Sequence, residues 1–349
     1  MHRIATERHR HFLLDAAVRG GCAPMDAEIV AGALLWADLH GRHEQGLIRL
    51  SNLVERLRHG VTRSPVNPDW TVLGPAGEHL DAHHGIGFVA GYRAMQRAVE
   101  LARSECIGVV TVEHSSHYGS AAYYCELAAR ADCIALTCTN SYAKVAPFGG
   151  SKAALGTNPL AFGCPTLDGR PILVDLSTSA VAGSAARRAA DVEAELPPAS
   201  ALDATGQPTT DPAAAAAGAL LPAAGAKGYA LALMIEVLTG VLSGGAMGKQ
   251  VGSIFALDRP VDVAHFFLAI HVASFMPVPL FKERLHMLAS SIRSSPALEP
   301  SQLVRLPGEI RADLAERYSR EGIPYTEAMR QAAQTLAAEL SIAAPWEIP

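Results

Sequence analysis

Six cysteines are scattered through 349 residues and no two are spaced as C-x-x-C, so neither a zinc ribbon nor a dithiol redox motif is supported. Cys22, Cys106, Cys125, Cys133, Cys138 and Cys164 lie partly in apolar, strand-like runs and read as small buried thiols in a reducing cytoplasm. Charge is sparse as well. Asp, Glu, Lys and Arg make up 18% of the chain, the net charge is -5 and no Lys/Arg block reaches five in a row, which argues against a nucleic-acid surface. The N-terminus lacks the apolar core of a secretory signal. In the most membrane-like segment, "YALALMIEVLTGVLSGGAM" (229–247), Glu236 sits near the centre; the segment reads as a buried helix, and no membrane partner is expected.

Nucleotide-binding fingerprints are also missing. In "HGIGFVAG" (84–91) the third glycine comes one residue too late for G-x-G-x-x-G, and no strand precedes it. In "GAKGYA" (225–230) Gly228 follows Lys227 where a P-loop needs Ser or Thr. G-x-S-x-G and H-E-x-x-H are absent too.

What remains is an ordinary globular composition, 49% hydrophobic, in a chain long enough for two or three structural units. Residues 5–60 carry apolar positions at helical spacing, a polar, Pro-rich link follows at 61–75, and 87–105 is helical again. "CIGVVTVEHSSHYG" and "CIALTCTNSYAKVAPFGG" are β-branched runs ending in small polar residues, separated by the helical "SAAYYCELAARAD". This order predicts an α/β layer with polar residues displayed at strand ends. "PILVDLSTSAV" (171–181) is a third such run, "VAHFFLAI" (263–270) a central strand, and 277–335 returns to helices around "RLPGEI" (305–310).

Several polar clusters could carry chemistry. "EHSSHYGSAAYY" (113–124) sets His114 and His117 at a strand end before a helix start. A histidine there can exchange a proton near neutral pH, and it can equally well cap a turn. Asn beside Ser or Thr in "CTNSYAKVAPFGG" and "ALGTNPLAFGCP" can orient a carboxamide or carboxylate, or make turns. "VDLSTS" (174–179) offers Asp175, Ser177, Thr178 and Ser179, for which helix capping competes. Arg49 in "ADLHGRHEQGLIRL" (37–50) could grip a carboxylate bidentately or form a surface ion pair.

Taken in order, "ADLHG…GLIRL", "SSHYGSAAYY", "TNSYAKVAPFGG", "LGTNPLAF", "VDLSTSAVA", "GQPTTDPAAA", "GALLPAAGAKGYALALMIEVLTG", "HFFLAI" and "RLPGE" resemble the type-2 malate/L-lactate dehydrogenase family. Its members include ureidoglycolate, sulfolactate and cyclic-imine carboxylate oxidoreductases. The resemblance implies a non-Rossmann α/β fold and a homodimer. A mixed-sheet nicotinamide-binding domain (111–275) would be flanked by helices from both chain ends (1–75 and 276–349), with 76–110 connecting. It also implies NAD or NADP as cofactor and a hydride passed between it and C2 of a small 2-hydroxy acid, with a cyclic imino acid as the alternative substrate.

By the same resemblance His117 is the proton donor and acceptor, and Arg49 holds the substrate carboxylate. Ser141, Asp175, Leu176, Ser177, Lys227, Pro307, Gly308 and Glu309 match positions that contact the dinucleotide, and no metal is implied. The chain departs from the family pattern at three places. His43-Glu44-Gln45-Gly46 stands for Asp-Ser-His-Gly, Ser184-Ala185 for a glycine-lysine pair, and His271-Val272 for Asp-Pro. Gln45 cannot titrate, so it is expected to bind substrate as a neutral hydrogen-bond partner. The departures also leave open a member that binds the dinucleotide without turnover.

Overall fold

A computed structural model describes residues 3–299 and 301–348. The two chain ends build one helical layer. Helix α1 (Thr6–Arg19) buries Phe12, Leu13, Ala16 and Ala17, and α2 (Pro24–Leu39), opened by a proline in its first turn, buries Val30, Ala31 and Leu34. A short 3-10 turn, His43–Gln45, leads into α3 (Ile48–Arg58). At its other end the chain returns to the same core, where Tyr318, Met329, Ala333 and Leu336 pack against Phe12, Leu34 and Leu50. A two-stranded ladder of Arg3–Ile4 with Ile323–Pro324 ties the ends together.

The second layer is a seven-stranded mixed sheet. In chain order its strands are β1 (Asp69–Gly74), β2 (Gly77–Asp81), β3 (Ile107–Ser115), β4 (Cys133–Thr139), β5 (Leu160–Cys164), β6 (Ile172–Leu176) and β7 (Val263–His271). In space the order is β1-β2-β3-β7-β4-β5-β6, and only β2 and β3 run parallel. The strand–helix–strand order of 107–139 therefore does not give adjacent strands, because β7 enters between β3 and β4 and pairs antiparallel with both. Alternate residues of β7 face different layers. Phe267 and Ala269 pack with α4 (Gly87–Glu105) and α5 (Ala121–Arg130), while Phe266 packs with Ile235.

Two segments differ from the reading above. The Pro-rich link at 61–75 carries β1, whose residues 69–73 are all exposed, so burial left no alternation in its sequence. After α6 (Gly183–Asp191) and the short α7 (Pro212–Ala217), the segment 229–247 forms α8 (Ala226–Glu236), which continues as a π-helical turn over Val237–Val241. One side packs on the sheet, but Leu231, Leu233, Met234, Val237, Val241 and Leu242 face solvent. The apolar pattern signals burial without saying whether the same chain supplies the cover. Among the described residues no helix is long and apolar enough to cross a membrane. The six thiols are free, with only Cys106 exposed.

Candidate active site

The end of α2 shows why "ADLHGRHEQGLIRL" folds as it does. Asp38 is fully buried and accepts from three directions: His9 Nε2 at 3.0 Å, His43 Nδ1 at 3.0 Å and the Leu47 amide at 2.8 Å. Burial alone would raise its pKa, but the hydrogen bonds from His43 and His9 hold it below the usual carboxylate range. Gly46 lies directly beside it; a Cβ there would come 2.2 Å from the Asp38 carboxylate. The carboxylate thus fixes the turn that presents Gln45 and the helix that carries Arg49.

Those two side chains open into a cavity of about 360 Å³. Gln45 Oε1 and Arg49 Nε are buried there and have no hydrogen-bond partner. Arg49 is 9% exposed; no carboxylate forms an ion pair with it among the described residues. Burial, reinforced by Arg187, pulls its pKa from 12.5 to about 10. A buried cation without a counter-ion is costly, and it makes a strong site for an anion.

His117 lines the same cavity from the junction of β3 and α5. The Gly119 amide donates to its Nδ1 at 3.3 Å, which leaves Nε2 as the nitrogen available to a substrate. Burial first, then the cations Arg49 and Arg187 and the ring of His265, lower its pKa well below the ordinary value. The resting ring is neutral, the form that can accept a proton. His265, on β7, lies fully buried beneath. It bonds Thr139 Oγ1 at 2.8 Å and Ser115 Oγ at 2.9 Å, stacks on Tyr118 at 4.5 Å, and burial lowers its own pKa to about 3.

The third wall is made by two asparagine turns, 139–141 and 157–158. Glu236, the acid in the apolar segment, binds both: its Oε2 accepts from Asn158 Nδ2 at 2.7 Å, and its Oε1 from Asn140 Nδ2 at 3.4 Å and the Gly248 amide at 2.6 Å. This holds Ser141, whose hydroxyl accepts from the Thr157 amide at 3.1 Å. Asp175 closes the floor. It caps α5 rather than a helix of its own, accepting from Ser120 Oγ at 2.8 Å and the Ala122 amide at 3.2 Å, with Arg42 Nη1 at 3.4 Å.

The cavity therefore brings together His117, Arg49, Gln45, Ser141, Asp175 and Ser177. Leu176 is half-exposed on the edge strand β6 and lies outside it. Lys227 sits exposed in the first turn of α8, where the neighbouring Gly228 packs on the Thr178 carbonyl. Pro307 and Glu309 line a second cavity of about 380 Å³, and Gly308 caps α10 (Glu309–Glu321) in a left-handed conformation against Leu173. The two cavities flank the start of α10: Arg311 lines the first, Ala312 and Asp313 the second.

Sequence reasoning missed the cavity's excess of cations. Arg42, Arg187, Arg188 and Arg311 all line it, with Lys144. Arg187 lies on α6 (Gly183–Asp191), two residues beyond the Ser184-Ala185 departure, donates to the Tyr142 hydroxyl at 3.3 Å and stacks over Phe255 at 4.9 Å. The adjacent pair Arg187-Arg188 was the available signal.

The chain is similar to known proteins over nearly its whole length. The family model described as malate/L-lactate dehydrogenase matches residues 4–333. A (2R)-3-sulfolactate dehydrogenase (NADP(+)) of Chromohalobacter salexigens is 35% identical, covering 94% of this chain and 96% of the relative. A ureidoglycolate dehydrogenase (NAD(+)) of Escherichia coli O157:H7 is 32% identical, with 94% of each covered. The structure of malate dehydrogenase from Pyrococcus horikoshii OT3 superposes with a TM-score of 0.91 at 31% identity, covering 98% of this chain and 97% of that one. The chain belongs to the malate/L-lactate dehydrogenase family. It is an oxidoreductase.

Proposed function

We propose that His117 exchanges the proton, Arg49 clamps the carboxylate and Gln45 hydrogen-bonds the substrate as a neutral group. The chain is an NAD(P)-dependent oxidoreductase of small 2-hydroxy and 2-oxo acids. The observation that carries the residue assignment is the buried Arg49 guanidinium, without an ion-pair partner among the described residues and in the same cavity as the neutral His117 ring. Arg187 lies close enough to depress both, which suits the cavity to a substrate bearing a second acidic group.

The residues present fit a nicotinamide dinucleotide. Arg42 and Arg311 offer cations to its diphosphate, and the open edge of β6 at 175–177 offers main-chain groups. Pro307, Gly308 and Glu309 would meet its far end in the second cavity. When bound, the nicotinamide supplies the acceptor or donor of the hydride at C2. Arg49 orients the substrate so that C2 presents one face, since positioning contributes several kcal/mol of barrier lowering. His117 takes the hydroxyl proton at Nε2, which requires its own proton on Nδ1 and displaces the long contact from Gly119. The incoming carboxylate neutralises Arg49 and so eases the charge His117 acquires.

We also place the protein in the cytoplasm as a homodimer. The exposed apolar rows of α8 and of α9 (Val278–Arg293), where Leu280, Met287, Leu288 and Ile292 face solvent, support a second copy as their cover; light scattering on the purified chain reads the mass directly. For the chemistry, His117→Asn is expected to lower kcat by about 10²–10⁴ across a panel of hydroxy acids and cyclic imino acids. Dinucleotide affinity, followed by fluorescence, should be largely kept. Near-normal turnover in that variant would remove His117 from the mechanism.

A further inference from the structure

Where β2 and β3 end, a few residues before His117 but outside the lining of the reaction cavity, four histidines and several carboxylates converge. Asp81 closes β2, and Glu113 is its in-register partner on β3. Next to Glu113 the pairing of β3 with β7 slips: His265 opposes Val112, while Val263 opposes Ser115. Glu113 and His114 thus share the space of one partner residue, and His114 takes a left-handed φ of 48°. In a regular strand these adjacent side chains would leave on opposite faces. Here His114 Nδ1 comes to 3.0 Å from Asp81 Oδ1, and one ligand atom from each of Asp81, Glu113 and His114 lies within 4.8 Å of the others.

The surroundings are arranged as supports and spare donors. His79 joins Glu113 Oε1 at 3.0 Å through Nε2 and Thr111 Oγ1 at 2.9 Å through Nδ1. His83 sits between Asp69 Oδ2 at 2.8 Å and Asp81 Oδ2 at 3.6 Å. His84 stands with its ring 5.3 Å from that of His114. Two polar atoms here are buried with no partner among the described residues, His84 Nδ1 and Asp262 Oδ1. An ordinary ion-pair network would leave neither unused, since a buried polar atom without a partner costs about 1–3 kcal/mol.

We propose that Asp81, Glu113 and His114 form a binding site for one divalent transition-metal ion, zinc being the representative, with His84 available for a fourth position. A mixed nitrogen and oxygen set suits zinc, cobalt or nickel, whereas calcium and magnesium take oxygen alone. Two carboxylates and a neutral imidazole balance a doubly charged ion. His79 orients Glu113 as outer partners of metal ligands do. The site is separate from the reaction cavity but mechanically joined to it. His114 accepts from the His84 amide, Ser116 Oγ accepts from the Gly87 amide at 2.8 Å, and His117 follows directly. A bound ion therefore fixes the strand end that leads to His117 and takes no part in the hydride step.

The test uses the full chain stripped with EDTA and desalted. Titration with Co²⁺, followed by visible absorption, should saturate at one equivalent, and Zn²⁺ should displace the Co²⁺ signal and raise Tm. Asp81→Asn and His114→Ala should each weaken Zn²⁺ binding at least about tenfold, and His79→Ala by about tenfold, all with unchanged far-UV circular dichroism. His286→Ala, in the second cavity, should bind as the parent does. Absence of saturable uptake, or uptake unaltered in both the Asp81→Asn and His114→Ala variants, overturns the proposal.

Discussion

Replacing Arg49 with methionine should make the empty protein more stable and the enzyme nearly inactive. The guanidinium is 9% exposed, and among the described residues no carboxylate pairs with it. Its fall from 12.5 to about 10 corresponds to about 3 kcal/mol of penalty against the charged form. The sign follows from the linkage. A base whose folded pKa is depressed costs stability in full at every pH below the folded value; the cost fades as pH rises above that value and is gone above the unfolded one. Methionine keeps the stem and removes the charge, so part of the penalty is recovered. A net gain of about 1–2 kcal/mol is expected, only a few degrees in Tm for a chain of this length. Catalysis moves the other way. Losing one partner of a buried, hydrogen-bonded charge pair costs about 2–5 kcal/mol, roughly 30- to 5,000-fold in kcat/KM. Calorimetry with and without a 2-oxo acid analogue, alongside steady-state kinetics, measures both. The analogue should raise the Tm of the parent but not of Arg49→Met. A fall in Tm with kcat/KM retained would refute the reasoning and make Arg49 a structural residue.

Other consequences are as direct. His117 is held neutral by burial, Arg49, His265 and Arg187, so kcat/KM for hydroxy-acid oxidation should stay level as pH falls past 6.5, with its acid limb well below; a limb at or above that value contradicts the assignment. Gly46→Ala forces a methyl against Asp38 and should cost about 1–3 kcal/mol in a urea melt, with kcat/KM falling because the same turn carries Gln45 and Arg49. Arg187→Ala should lower kcat/KM for an acid with two anionic groups at least about tenfold more than for lactate, a difference of about 1.4 kcal/mol; equal losses would show that it acts only on the shape of the cavity.

The helices and long strands were legible because each is periodic over many residues. "GFVAGYRAMQRAVELARSE" is α4 from end to end, and "VAHFFLAI" is the middle strand, one residue short. The strand β5 is not legible in the sequence, because its five residues include a glycine and follow a proline. Of the site, His117, Arg49 and Ser141 came from the resemblance, and composition alone left a turn or a surface pair as competitors. Asp38 and Glu236 were out of reach for a different reason. Each is one acid in an apolar stretch, and only packing shows that both are hubs serving partners from distant segments. Arg187 escaped because a pair of arginines on a short helix looks like a solvated face.

The position of β7 also bears on how the protein is made. The strand that separates β3 from β4 emerges from the ribosome more than 120 residues after either of them. Until then two incomplete sheets present open edges, the kind that recruit other chains. Such a nascent chain is a natural client for chaperones, and its productive folding must wait on a long-range insertion, which is slow. His265 arrives on that strand and joins Thr139 to Ser115, so the reaction centre is assembled by the same event that closes the sheet. A fragment ending before residue 263 should therefore accumulate as aggregate rather than as a partly active enzyme.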